Sequence, residues 1–235
     1  MSLTWIEPTD PLPPPDDAPG DEPLAAGRDL GPRRLLEAYR QGIFPWFGPG
    51  QPVLWWSPDP RMVLPLDALR TTRSLAKVMR RARRTGLWEL RLDSAFDQTM
   101  LACSAARAGQ PGTWITPAMR AAYGALHRMG MAHSVETWSG DRLVGGLYGV
   151  SIGRMFFGES MFARESDASK VALAGLVAML RQCDFRVIDC QQNTRHLASL
   201  GAHEIDRRSF LRQMRALVSM PAPDWSRLRI EVPDA

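Results

Sequence analysis

In the run Arg186-Val187-Ile188-Asp189-Cys190-Gln191 the β-branched residues predict a strand, and alternation along it places Asp189 and Gln191 on one face and Ile188 and Cys190 on the other. A carboxylate beside an amide near the C-terminal end of a strand, where an open sheet binds its ligand, can orient an attacking amine and take its proton. The same Asp could instead cap a helix starting near Asn193, and the spacing leaves both open. Gly158-Glu159-Ser160 ends another predicted strand with a second carboxylate, either functional or solvated. Cys190 is turned away from the face of Asp189 and has no His on its strand, so it reads as a structural thiol. His127, His133, His196 and His203 show neither HxH nor HxxxH spacing, and Cys103, Cys183 and Cys190 form no CxxC pair. That pattern argues against a metal site. Charge supplies another signal. Arg61, Arg70, Arg73, Lys77, Arg80, Arg81, Arg83, Arg84 and Arg91 face only Asp67 and Glu89, a surplus of about +7 over residues 61–91. Such a stretch is either a phosphate-contact surface or a solvated helix face. Trp46, Trp55, Trp56 and Trp114 can stack on bases or fill a core.

The elements that would hold these groups follow from periodicity. Leu75, Val78, Met79 and Ala82 fall at i, i+3, i+4 and i+7, which predicts a basic amphipathic helix between Asp67 and Arg84. Helices are expected over 93–107 and 117–130, the latter capped by Thr116 with Pro117 in its first turn. Strands at 133–138, 142–151 and 154–161, separated by Ser139-Gly140-Asp141 and Gly153, predict an antiparallel meander. There follow a helix over 168–182 capped by Ser166 or Asp167, the strand 186–190, and helices near 194–200 and 207–218. Upstream, Pro32 opens a helix through Arg40 that Gly42 ends, and the Trp-, Phe- and Pro-rich stretch 43–60 reads as packed and irregular. Residues 1–23 hold seven prolines among acids and are expected to be a mobile leader. The expected organisation is α+β, with a small N-terminal domain over 1–66 and a catalytic domain over 67–235. Meander, helix, strand, helix is the order of the GNAT acyltransferase fold, an analogy of fold alone.

Composition bounds the rest. A chain of 235 residues with 45% hydrophobic and 23% charged residues makes one good-sized domain or one plus a companion, and excludes wholesale disorder. The longest apolar stretch, Val171 to Leu180, is about half of the roughly 20 residues a bilayer needs. The N-terminus has neither a basic nor an apolar signal region, and three cysteines suit a reducing compartment, so a cytoplasmic protein is expected. The formal charge of +4 hides a gradient, since residues 1–29 carry seven acids against Arg28. The body is therefore cationic.

Seven runs carry a resemblance: Tyr39 to Phe47, Trp55 to Arg61, Thr113 to Thr116, Leu143 to Gly149, Gly158 to Phe162, Ile188 to Gln191 and Ser199 to Ala202. Across about residues 24–218, in unbroken order, the chain closely resembles leucyl/phenylalanyl-tRNA-protein transferases. It departs at Gly27-Arg28-Asp29, where the family has two glycines, and in its long leader. The resemblance implies a GNAT-like C-terminal domain that moves Leu or Phe, less readily Met, from aminoacyl-tRNA to proteins with an N-terminal Arg or Lys, marking them for degradation. It implies that Asp189 handles the amine proton, that Gln191 orients the groups and that Glu159 supports the site near the 3′ adenosine. Trp46 and Trp114 would hold that adenosine. Leu147, Phe156, Met161, Leu173, Leu176 and Ile188 would take the transferred side chain, and Arg73, Lys77, Arg80 and Arg81 would touch the acceptor stem. No cofactor, metal or membrane is called for, and the protein is expected to be a monomer. A coenzyme A dependent N-acetyltransferase is the nearest rival, but Met161 to Ala168 lacks the glycine turn that would hold a pyrophosphate and carries Glu165 and Asp167 instead. A non-catalytic RNA-binding module would leave Asp189 and Gln191 without a role.

Overall fold

The computed structural model describes residues 3–105 and 113–234. Its N-terminal stretch, expected to be a mobile leader, holds a strand and a turn of 3-10 helix. Strand β1 (Thr4–Ile6) runs parallel to β2 (Ala25–Gly27), and Ile6, Leu12, Pro15 and Ala18 are buried. The prolines need no hydrogen-bond acceptor, and the carbonyls of Glu7, Pro8 and Asp10 accept from Arg34 Nη2 at 3.3, 2.9 and 2.6 Å. Arg34 stands on α1 (Pro32–Arg40), so one buried guanidinium supplies donors to a segment poor in its own. The stretch expected to be irregular contains β3 (Phe44–Pro45) and β4 (Val53–Trp56), completing a sheet of order β1-β2-β4-β3. Paired aromatics outweigh the turn residues between them.

Next comes β5 (Arg61–Pro65), which joins the second sheet rather than the first. This strand falls inside the expected N-terminal domain of residues 1–66. Helix α2 (Arg73–Thr85) begins where the Thr72 hydroxyl accepts the Leu75 N–H at 3.2 Å, and stops at left-handed Gly86. It buries Leu75, Met79 and Ala82. Strand β6 (Glu89–Leu92), α3 (Phe96–Cys103) and α4 (Pro117–Arg128, capped by Thr116) lead into the meander. The end of the helix expected over 93–107 lies outside the described residues. The meander strands are β7 (Ala132–Ser139), β8 (Arg142–Ile152) and β9 (Met155–Ala163), as the alternation predicts. Then follow α5 (Ala168–Gln182), β10 (Val187–Gln191), α6 (Arg195–Ser199), β11 (His203–Ile205) and α7 (Arg207–Val218).

The described strands of the second sheet lie in the order β11-β5-β10-β9-β8-β7-β6, antiparallel except for β9 beside β10. Residues of α2 and α5 pack with one face; those of α1, α3, α4 and α7 pack with the other, together with the first sheet. Helix α5 begins hard against β8, because a Cβ at Gly145 would lie 2.5 Å from Ala168 Cβ. Neither expected residue caps it with a side chain. Asp167 stands at the N-cap with φ 68° and gives its carboxylate to Lys170 Nζ at 2.7 Å. No described helix is long and apolar enough to cross a membrane.

Candidate active site

Between β9 and β10 the ladder holds only Phe156 opposite Ile188 and Phe157 opposite Asp189, after which the strands part. A cavity of about 1060 Å³ opens at this parting. Leu64, Leu147, Phe156, Met161, Leu173, Leu176 and Ile188 line one part of it, Trp46, Trp56 and Trp114 another, and Glu159, Ser160 and Gln191 come from the strand ends. The apolar set unites β5, β8, β9, α5 and β10, so an aliphatic or aromatic group can be buried there at about 25 cal/mol per Å². Trp46 is 38% exposed and meets Trp56 edge-on at 5.3 Å. The Trp56 indole N–H donates to the backbone carbonyl of Trp46 at 2.7 Å, which orients the Trp56 ring.

Glu159 is the electrostatic centre. Tyr39 of α1 donates to Oε1 at 2.7 Å, Tyr123 of α4 to Oε2 at 3.1 Å, and Gln191 Nε2 to Oε1 at 3.0 Å. The Tyr39 and Tyr123 hydroxyls also touch each other. Burial pushes the Glu159 carboxyl up to about 7 against the pull of these donors, and the charge of Asp189 adds to the rise. A group poised near neutrality in a cleft can exchange a proton during turnover. The same burial, with Glu159 nearby, holds the phenols of Tyr39, Tyr123 and Tyr148 well above their ordinary range.

Asp189 lies elsewhere. It is fully buried and absent from the cavity wall; Arg61 Nε donates to Oδ1 at 2.8 Å and Nη2 to Oδ2 at 2.6 Å. Arg61 is itself stacked between Phe44 and Phe210, at 4.7 and 4.5 Å. Simple alternation fails here because the register shifts between Asp189 and Gln191, and Gln191 sits at φ 58° with its N–H on Asp189 Oδ1 at 2.9 Å. A bulge re-aims the side chains. Gln191 therefore reaches Glu159, while Cys190, expected to face away from the site, is half-buried and lines the cavity. Burial pushes its thiol up, which keeps it protonated and a poor nucleophile.

The structure thus brings Glu159, Gln191, both tryptophans and all six expected pocket residues to one cavity. Arg73, Lys77, Arg80 and Arg81 lie apart, exposed on the outer face of α2, and among the described residues no ion pair engages them. Sequence reasoning missed Tyr39, Tyr123 and Arg61 as site residues. Tyr39 opens one of the runs carrying the resemblance, while nothing local marks Tyr123. Among the described residues no three of His, Cys, Asp and Glu come together as metal ligands.

Comparison with known proteins agrees with the resemblance. The profile described as leucyl/phenylalanyl-tRNA protein transferase matches residues 63–215, and that of its N-terminal domain matches residues 28–59. A leucyl/phenylalanyl-tRNA–protein transferase of Cupriavidus necator is 57% identical over 226 residues, 94% of this chain and 90% of that one. Its counterpart in Paraburkholderia phytofirmans is 56% identical over 229 residues, 95% of this chain and 94% of that one. Among solved structures, L-PGS from Bacillus licheniformis overlays at a TM-score of 0.38 and 12% identity, covering 74% of this chain and 58% of that one, a likeness too slight to bear on fold or function. The family profiles and these identities, spanning nearly the whole chain, show that it belongs to the leucyl/phenylalanyl-tRNA–protein transferases, an aminoacyltransferase family.

Proposed function

We propose that the chain moves Leu or Phe, and less readily Met, from the 3′ end of its charged tRNA to the N-terminal Arg or Lys of an acceptor protein, marking that protein for degradation, on a GNAT-like C-terminal domain. One observation carries the reading: a single cavity joins an apolar pocket, a carboxyl poised near neutrality and the indoles of Trp46 and Trp114. The pocket takes the aliphatic or aromatic side chain, Trp46 and Trp114 hold the terminal adenosine, and the outer face of α2 lies along acceptor-stem phosphates through Arg73, Lys77, Arg80 and Arg81.

The donor is an activated ester, so the protein needs to position it, take a proton and stabilise charge rather than form an acyl-enzyme. The acceptor nitrogen bonds to the acyl carbon, and ionised Glu159 receives the proton that nitrogen loses. The bond from the acyl carbon to the ribose oxygen breaks, and the proton passes to that oxygen. Gln191, Tyr39 and Tyr123 fix the direction of the carboxyl. Asp189 acts one remove back as a positioning residue, pinning the bulge that presents Gln191. A coenzyme A donor fits poorly, since Glu165 and Asp167 stand before α5 where a pyrophosphate would lie, Glu165 held there by Trp88 Nε1 at 3.1 Å and Arg142 Nη2 at 2.8 Å.

The test mixes the protein with radiolabelled Leu-tRNA and a peptide beginning with Arg. Label should enter the peptide; acetyl incorporation from acetyl-CoA in its place would overturn the reading.

A further inference from the structure

Three phenols surround Glu159, and two of them are spent. Tyr39 and Tyr123 donate to its carboxylate. Tyr148 does not. Its side chain is fully buried, it lines the cavity, and its Oη has no hydrogen-bond partner among the described residues. A buried hydroxyl left without a partner disfavours the folded state unless something supplies the missing acceptor. The ring is held firmly, meeting Phe96 and Tyr123 edge-on, each with centroids 5.9 Å away. On β8 it is paired with Ser160, the residue after Glu159. Tyr148 shares the cavity wall with Glu159 and Cys103.

What acceptor belongs there follows from the chemistry of the reaction. When the amine attacks, negative charge gathers on the acyl oxygen. Among the described residues no Lys or Arg lines the cavity, and the donors that do are His196 and neutral side chains such as Tyr148. A phenol kept protonated by burial keeps its O–H to donate, which suits an oxyanion, while the amine already has Glu159 as its acceptor. We propose that Tyr148 is a further catalytic residue, its Oη donating a hydrogen bond to the acyl oxygen of the bound aminoacyl ester as that oxygen becomes an oxyanion. The proposal rests on the aminoacyl transfer proposed above.

Tyr148→Phe removes only the hydroxyl and keeps both ring contacts. With the full chain, Leu-tRNA and an Arg-initiated peptide, kcat should fall about 10²-fold to 10³-fold, as for loss of one oxyanion donor, with KM for Leu-tRNA little changed. The variant should melt no lower than the parent, because the lost group bonds nothing in the empty protein. A second measurement uses leucyl-adenosine analogues. Binding of one with a tetrahedral phosphonate in place of the ester carbonyl should weaken by a similar factor, while an amide analogue should bind nearly as before. Unchanged kcat and phosphonate binding would overturn the proposal. So would a loss that vanishes when the donor's α-amino group is replaced by hydroxyl, which would put the phenol on that amine. If the parent itself transfers nothing, the reaction assigned above fails and this role falls with it; a fully active parent with an equally active variant refutes Tyr148 alone.

Discussion

Glu159 keeps its proton into a pH range where an ordinary glutamate has lost it, because burial outweighs the hydrogen bonds from Tyr39, Tyr123 and Gln191 that favour the carboxylate. If it must be ionised to take the amine proton, transfer should rise with pH through about 7. Glu159→Gln should cut the rate about 10²-fold or more and flatten the profile. Asp189→Asn should keep a rise but shift its midpoint downward, since the charge of Asp189 is one cause of the elevation; a profile without any rise would return the base role to Asp189. The same carboxyl sets a stability trend. Between about 4.5 and about 7 the folded protein holds a proton that the unfolded chain has released, so stability should decline with rising pH by up to about 3 kcal/mol. Thermal melts across that range check it, and the Gln variant should lose most of the slope. At this scale the sequence was half legible. Alternation paired the right strand end with chemistry, but a bulge at Gln191 with φ 58° decided which side chain arrived there. The phenols come from α1, α4 and β8, separated along the chain by distances that no local spacing connects.

The helices and strands were read more easily than the residues they carry. The meander and α5 have long, uninterrupted periodicity, and α4 announces itself through Thr116 and Pro117. Strands β6 and β11 have four and three residues, too few for alternation to speak, and owe their state to neighbours. Helix α2 was legible in both its faces: Leu75, Met79 and Ala82 are buried, and the cations stand outside. If those cations contact phosphates, affinity for charged tRNA should fall with log salt at a slope of about −0.7 to −0.9 per phosphate neutralised. Arg80→Ala with Arg81→Ala should make that slope shallower by up to about two units, weakening Leu-tRNA and Phe-tRNA alike. Filter-binding titrations at several salt concentrations measure it, and an unaltered slope would leave α2 as a solvated face.

Across the whole molecule, segments near both ends of the chain are tied into the core by single large side chains. Arg34 draws in the N-terminal segment, while near the C-terminus Trp225 stacks on His133 at 3.8 Å and lies 6.0 Å from Phe156, whose ring lines the cavity. Proline content and acidity hid the first tie, and a lone Trp in a polar tail hid the second. Trp225→Ala should lower Tm by about 10 °C, from the usual cost of emptying a buried aromatic site in a chain of this size. It should also blunt the use of Leu-tRNA by loosening Phe156, which single-turnover rates would register as a larger loss than melting alone explains. The parting of β9 from β10 reaches beyond catalysis. Past Phe157 and Asp189 the facing backbone groups of the two strands no longer pair with each other, in the middle of a sheet whose other ladders run on. Deuterium should therefore enter the amides on that open edge while the protein's global fold stays closed, and stop entering once substrate fills the gap, so the interior of this sheet reports its own occupancy by isotope exchange.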